Sequence, residues 1–534
     1  MRGLESGTLG PFVMDSACIT AHCIRHTDLP GTSKLFSDLL YDFARVSKFY
    51  AHDPADPGSY DAAAKQIQYP AERRAAMAQA LAGQNAPSEL LTRFARPETV
   101  VVVTGQQVGL FGGPAYTIYK ALTAAKLAAN LTARGISAVP VFWMATEDHD
   151  FAEVNHTWVF NGDGHPARVG VEAAVVGQRP AGEYAVPHPP IDALRAALTG
   201  FPETDAVIAA VKDAYRPGMT MGAGFKALVL KLLERVGVLV LDPLDPAIRA
   251  IGAPLMAEAV AKAPVLKSAL LARGQELSEA GYHTQVLVEE KTSLFFLLDK
   301  GERATLRLRD SECEKLAARA ADVSPNALLR PVWQDFMLPT VAYVGGPGEL
   351  AYFAQSAVLY RELLGRMPVM LPRACFTLLD ARSEKLMKRF GLSLPDLMVN
   401  RETLQERIAK QLVPSSLGSD FEKTSAAVAE NLDYLRQKLM AFDPTLAAAM
   451  EKSRAKVQYQ VAKLGRKTAR ETLRRDERAS ADTAYLRGVL YPEGHLQERL
   501  HAILPFLAKY GMELVDRLYG EVRPECPDHR VITL

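Results

Sequence analysis

Four consecutive valines, Val100–Val103, run into Thr104-Gly105-Gln106-Gln107-Val108-Gly109-Leu110-Phe111-Gly112-Gly113-Pro114, and this stretch constrains the fold more than any other. A run of β-branched apolar residues suits a strand buried on both faces, as in a parallel sheet, better than one with a wet side. The glycine-rich loop leads to a helical pattern from Pro114 to Ala133, closed by Gly135 at a C-cap position. A second apolar run follows at Ala138–Met144. Strand, loop, helix and strand make a βαβ unit, so an α/β protein with a doubly wound parallel sheet is expected. Further strands are expected at Val236–Leu241, Thr340–Val344 and Pro368–Leu371, and a hairpin from Val286–Val288 and Leu294–Leu298. Helices are expected at Phe225–Arg235 and Pro246–Lys262.

Around this core, residues 1–32 read as an irregular or disordered N-terminal extension. Residues 33–97 form a helical segment, with Leu35, Leu39, Phe43 and Val46 at helical spacing. The α/β core with insertions spans 98–380, a helical arm 381–480, and C-terminal helices 481–534, with a last strand returning to the core. In the arm, Phe421, Val428, Leu432, Leu435 and Leu439 mark the seam of one long helix, Asp420–Met440. Val457, Val461, Leu464 and Thr468 mark that of a second, Pro444–Arg478. Asp443-Pro444 caps the second helix, and the short link makes the pair an antiparallel coiled coil. Leu446, Met450 and Tyr459 are left short of partners, which points to a homodimer built through the arm. The basic face of Lys463, Arg466, Lys467, Arg470, Arg474 and Arg475 reads as solvated surface.

Composition excludes several classes. Sixty-two basic residues nearly cancel 61 acidic ones in 534 residues, so no nucleic-acid partner is implied. Five scattered cysteines make no disulfide framework. No stretch is apolar enough to span a membrane and no signal peptide is visible, so the protein is expected in the cytoplasm, without membrane partners. Cys18, His22 and Cys23 lack a fourth ligand, and zinc is not expected there.

Three polar clusters could carry chemistry. The first is the glycine loop with Gly105, Gln106, Gln107, Tyr116 and Lys120. Its glycines admit a close backbone approach, and the following helix N-terminus favours an anion. The spacing matches neither a P-loop nor a dinucleotide fingerprint, and a tight packing turn is the bland alternative. The second is Glu147-Asp148-His149-Asp150 with Asn155, just past the Ala138–Met144 strand, where open α/β sheets place their ligands. These residues suit acid–base work or amine contacts, or a divalent ion beside phosphates; a solvated loop is the alternative. The third runs through Arg330, Gln334, Asp335, Tyr343, Gly345, Gly346 and Glu349. With Arg373 it offers guanidinium forks for carboxylate or phosphate, although either arginine could serve a structural ion pair.

Thr104–Lys120, Pro140–His156, Ser324–Gln355 and Leu490–Gly511 together resemble the family of cysteine ligases that complete bacillithiol. The resemblance runs from about residue 33 to the end, and departs at the N-terminal extension and over 162–220. It implies a Rossmann-like core with connecting insertions, a coiled-coil domain that mediates dimerisation, and addition of cysteine to glucosaminyl malate. It also implies an adenine nucleotide, ATP or ADP, with magnesium as an option. In that scheme Gly105–Gly113 and Lys120 face a phosphate or carboxylate. Asp148 and His149 bind the amine and act as general base, and Arg330 and Arg373 grip the malate. The rival reading is a non-catalytic nucleotide-binding scaffold that recruits partners through its coiled coil.

Overall fold

The valine run is the centre of a five-stranded parallel sheet. The computed structural model describes residues 21–84, 86–172, 177–306 and 316–534; Met1–Val13, Cys18 and Cys313 lie outside the described residues. In chain order the strands are β1 (Ala21–Ile24), β2 (Val100–Gln106), β3 (Ala138–Met144), β4 (His156–Phe160), β5 (Pro166–Gly170), β6 (Leu239–Leu241) and β7 (Phe295–Asp299). They continue with β8 (Glu302–Thr305), β9 (Val323–Pro325), β10 (Thr340–Gly345), β11 (Val369–Pro372), β12 (Phe376–Leu379) and β13 (His529–Thr533).

The main sheet has the order β11-β10-β2-β3-β6, with every neighbouring pair parallel. The β2–β3 pair runs in register from Val100↔Ala138 to Gln106↔Met144. Alternating side chains serve opposite faces. Val101, Val103, Val139, Val141 and Trp143 pack with the helices Pro246–Ala261, Arg330–Met337 and Pro347–Leu363. On the other face Val100, Val102 and Ala138 meet Ala124, Leu127 and Leu131 of the Tyr116–Ala133 helix. Helices on both faces make the sheet doubly wound, as its sequence implies.

Three expectations need correction. The hairpin partner of β7 is β8, reached through Lys300 and Gly301, both at positive φ, the conformation such a tight turn requires. Val286 is not in a strand. The Gln355 amide takes the place of a ladder there, accepting from the Val286 N–H (2.9 Å) and donating to its carbonyl (2.8 Å). The extension is not irregular throughout, because β1 pairs antiparallel with β13. The terminal strand, in turn, does not rejoin the main sheet; with β1 and β12 it builds a separate sheet of order β1-β13-β12. β12 therefore leaves the main sheet although it falls within 98–380.

The arm consists of helices Ser415–Phe442 and Pro444–Arg475, with Arg401–Leu412 packed against the second. Phe421, Val428, Leu432, Leu439, Val461 and Thr468 are half-buried on the seam, but Leu435, Val457 and Leu464 point outward. Small residues explain the rotation: Ala447 and Ala469 are buried, and Phe421 rests over Gly465. Met450 is also buried within the arm, whereas Leu446 and Tyr459 remain exposed.

Among the buried histidines are His26, His501 and His529. Burial lowers each from 6.5 to about 4. The unfolded chain binds these protons below pH 6.5 while the folded chain refuses them until about pH 4. Stability should therefore fall as pH drops through this window, by up to about 1.4 kcal/mol per pH unit for each histidine. Urea unfolding across that range should show the loss, and His529→Gln should reduce its slope. An equal slope in the variant would refute the assignment.

Candidate active site

The chain passes from β2 outward to β3 and β6, then returns to the other side of β2 to lay down β10 and β11. Such a reversal opens a crevice at the carboxyl ends of the two strands where it occurs. A cavity of about 330 Å³ lies there, lined by Gly105, Gln106 and Gln107 from the end of β2 and by Gly346–Glu349 from the end of β10. Gly105 is required where β2 passes β3, since a Cβ at this position would sit 2.8 Å from the Trp143 carbonyl oxygen.

Lys120 spans the crevice. Its ammonium is buried and donates to the Gly105 carbonyl (2.8 Å) and to Gln106 Oε1 (2.7 Å). It also forms an ion pair with Glu349 from across the gap. Burial lowers the Lys120 pKa against the pull of Glu349. Burial would raise that of Glu349, but Lys120, the Gly346 N–H and Arg330 outweigh it and hold the carboxyl below its ordinary value. Glu349 also accepts from the Tyr343 hydroxyl (2.9 Å) and caps its own helix through the Gly346 N–H (2.9 Å). Tyr343 and Gly345 thus sit behind the lining and set the position of Glu349. Lys120 is a structural tie as well as a lining group.

Only the first part of the glycine loop faces the cavity. Val108 and Leu110–Gly112 are buried, and Phe111, Gly112 and Gly113 all have positive φ. The Phe111 N–H donates to the Tyr215 hydroxyl (3.1 Å), and their rings meet edge to face. This half is a packing turn. The N-terminus of the helix after it is not open to an anion either, because the Ala115 N–H donates to the His501 carbonyl (2.8 Å). The helix start that faces the cavity is that of Pro347–Leu363.

The acidic cluster divides. Asp148 lines the cavity, and Gln107 Nε2 bridges it to Glu153, at 2.8 and 2.6 Å. Glu147 is buried instead and paired with Arg249, whose remaining N–H groups reach the Ala321 and Val323 carbonyls. His149 is outside the lining, its Nδ1 3.1 Å from Arg303 Nη1 and its ring beside Phe296. Asn155 bonds His156 and Arg168. Gln334 and Asp335 are buried within their helix, where Asp335 accepts from Tyr360 (2.5 Å). These four residues are not brought to the cavity; Asp335 and Asn155 are bonded by neighbours, while Gln334 Oε1 is buried without a partner among the described residues.

Arginines dominate the remaining wall. Arg330 donates to the Tyr352 hydroxyl (2.7 Å). Arg373 lies beside the Tyr116 ring and donates to Glu498 (2.7 Å), a buried carboxylate whose other oxygen accepts from the Phe376 N–H (2.9 Å). The adjoining Arg499 lines the cavity as well. Four cationic side chains, Lys120, Arg330, Arg373 and Arg499, thus face two carboxylates, Asp148 and Glu349. Among the described residues Arg330 and Arg499 make no carboxylate pair, so this wall carries positive charge available to a ligand. Glu498, Arg499 and Tyr352 were not singled out from sequence. The signal for the first two was Gln497-Glu498-Arg499, three polar residues ahead of an apolar segment.

One buried set could accept a metal. Donor atoms of Cys375, Glu498 and His529 lie within 4.8 Å of one another. Arg373 already neutralises Glu498 there and reaches the Cys375 sulfur (3.3 Å), while burial pushes that thiol up to about 12. A protonated thiol beside a guanidinium is a poor metal ligand.

Comparison with known proteins covers nearly all of the chain. A family model described as the N-terminal Rossmann-like domain of bacillithiol biosynthesis BshC matches residues 19–374. The C-terminal coiled-coil domain of the same family matches 376–534, so the boundary falls just before β12. A relative from Solibacter usitatus is 51% identical, with 96% of this chain and 99% of the relative aligned. One from Koribacter versatilis is 37% identical over the same shares, and one from Salinibacter ruber 32% identical over 96% and 98%. Each bears the name "Putative cysteine ligase BshC".

Glu498→Ala would leave Arg373 as an uncompensated buried charge, a change that costs about 3–5 kcal/mol in comparable sites. Glu498→Gln, which keeps an acceptor for the Phe376 N–H, should cost less. Chemical denaturation measures both. A loss for the alanine variant below about 1 kcal/mol, the level of an exposed pair, would remove Glu498 as the anchor of Arg373.

Proposed function

This chain belongs to the bacillithiol biosynthesis BshC family, and we propose that it is the cytoplasmic ligase that joins the carboxyl group of cysteine to the amine of glucosaminyl malate. The observation that carries the reading is the cationic wall of the crevice, where Arg330 and Arg499 lack carboxylate partners among the described residues. Malate presents two carboxylates, and planar guanidinium groups match them better than single ammonium charges. Arg373, held by Glu498, completes the grip without an ordering cost at binding. Convergent polar side chains at a strand-end crevice also favour an enzyme over a scaffold.

Amide formation requires the amine to lose a proton as it attacks an activated carboxyl carbon. Asp148 is the lining group placed to accept it, and the Gln107 amide fixes its orientation. His149 lies outside the lining, its Nδ1 bonded to Arg303, so this role is assigned to Asp148 alone. Negative charge developing on the carbonyl oxygen is met by the N-terminus of the Pro347–Leu363 helix.

An adenine nucleotide fits the lining in its charge: Gln106 and the half-buried start of the Pro347–Leu363 helix would hold phosphates. When bound, it supplies the phosphoryl or adenylyl group that activates the cysteine carboxyl. Glu153, on the other side of the Gln107 amide from Asp148, is the carboxylate that would hold magnesium.

The arm supports a homodimer. Tyr434, Phe442, Tyr459 and Leu464 are 61%, 83%, 54% and 58% exposed, apolar side chains that a second copy would cover. No helix among the described residues is long and apolar enough to cross a membrane.

Incubation with cysteine, glucosaminyl malate and ATP should yield a thiol product of the condensed mass. Arg499→Ala and Arg330→Ala should each raise KM for glucosaminyl malate about tenfold, the effect of roughly 1.4 kcal/mol, and leave KM for cysteine unchanged. Absence of product with any nucleotide would overturn the reaction. A change confined to cysteine would overturn the placement of malate. For the dimer, Phe442→Asp combined with Tyr459→Asp should sediment as a folded monomer at micromolar concentration; an unchanged dimer would move the interface off the arm.

A further inference from the structure

Cys23 and Cys526 come from opposite ends of the chain and meet at the surface. Cys23 lies on β1, at the edge of the β1-β13-β12 sheet, where it is exposed. Cys526 is half-buried in the turn that leads into β13, a turn closed by its own N–H to the Arg523 carbonyl (3.0 Å). The two sulfurs are 3.9 Å apart, which is van der Waals contact with nothing between them. A disulfide needs an approach of about 2 Å more. The position of β1 makes that approach accessible, because among the described residues β13 is its one strand partner.

We infer that Cys23 and Cys526 are a reversible thiol–disulfide site that takes low-molecular-weight disulfides as its oxidant. Neither residue lines the cavity at the β2–β10 crevice, so the site is separate from the proposed ligase chemistry. The exposed Cys23 thiolate attacks one sulfur of the small disulfide, forming a mixed disulfide and releasing one thiolate. Cys526, already in contact, then attacks the Cys23 sulfur and expels the second. Two protein thiols and one small disulfide become one protein disulfide and two small thiols, with both electrons passing to the reagent and both protons to its thiolates. Burial raises the Cys526 pKa, which suits it to the second, intramolecular step rather than to first contact with oxidant. The bond would close a loop over 503 residues of separation and tie the strand that begins the described chain to the one that ends it. Cross-links that close long loops restrict the unfolded chain most.

The test equilibrates the reduced full-length protein with oxidised glutathione under native conditions, alkylates free thiols, and maps peptides without reduction. A linked peptide pair containing Cys23 and Cys526, reversed by dithiothreitol, is the expected result. The oxidised protein should also melt at a higher temperature than the reduced one, and Cys23→Ser should abolish both the link and the shift. The inference is overturned if both cysteines alkylate fully after equilibration, or if Cys23 stops at the glutathione adduct. Pairing of Cys23 with Cys18 or with a second copy would overturn it equally.

Discussion

A buried lysine bridging two strand ends is the contact on which the site depends. Where the order of a parallel sheet reverses, adjacent strands send their chains to opposite sides and leave a gap between their carboxyl ends. In this protein the gap is spanned by Lys120, which joins the end of β2 through Gly105 and Gln106 to the helix after β10 through Glu349. An ammonium in such a place would be prohibitively costly alone. Three acceptors make it tenable, and in return they hold Gln106, Glu349 and the start of the Pro347–Leu363 helix in a common frame. Removing either charge would strand the other, so the geometry of the crevice and the satisfaction of its buried charges are one problem.

A second buried pair extends that frame to the other end of the chain. Glu498 reaches from the C-terminal domain to Arg373, immediately after β11. Its neighbour Gln497 bonds both the N–H and the carbonyl of Leu378, as a paired strand would. The segment 497–501 thus docks against β12, closes the helix start at Ala115 through the His501 carbonyl, and delivers Arg499 to the cavity. Both family domains therefore build one site. Truncation at the domain boundary would remove part of the wall, not a mere appendage.

The arm follows a different logic. Its two long helices meet along a narrow seam in which Ala447, Gly465 and Ala469 set the approach, and no residue of the first helix is fully buried. Most apolar surface stays outside, in contrast to the valines of β2, whose burial is complete on both faces. Stability in the core comes from packing within one chain, whereas the arm leaves large apolar side chains exposed.

The parallel core was legible in the sequence because its signals are local: four valines in a row, a glycine-rich loop, a helix of the right length and a second apolar run. The antiparallel arm was legible for the same reason, through its seam and the Asp443-Pro444 cap. Lys120, Glu349, Asp148, Arg330 and Arg373 were legible as polar residues beside strand ends, since topology brings strand ends together. Tertiary structure decided which of them face the cavity. His149, Asn155, Gln334 and Asp335 carry the same kinds of groups at similar places in the chain, yet His149, Asn155 and Asp335 bond neighbours outside the cavity, Arg303, Arg168 and Tyr360, and Gln334 is buried within its helix. Side-chain pairing across hundreds of residues also brought in Glu498 and Arg499, set the rotation that exposes Leu435 and Leu464, and placed Cys23 against Cys526. Periodicity reports the face a residue occupies along its own element. Whether a buried polar group is free or spoken for depends on which distant atoms satisfy it, and that is settled only when the chain is folded.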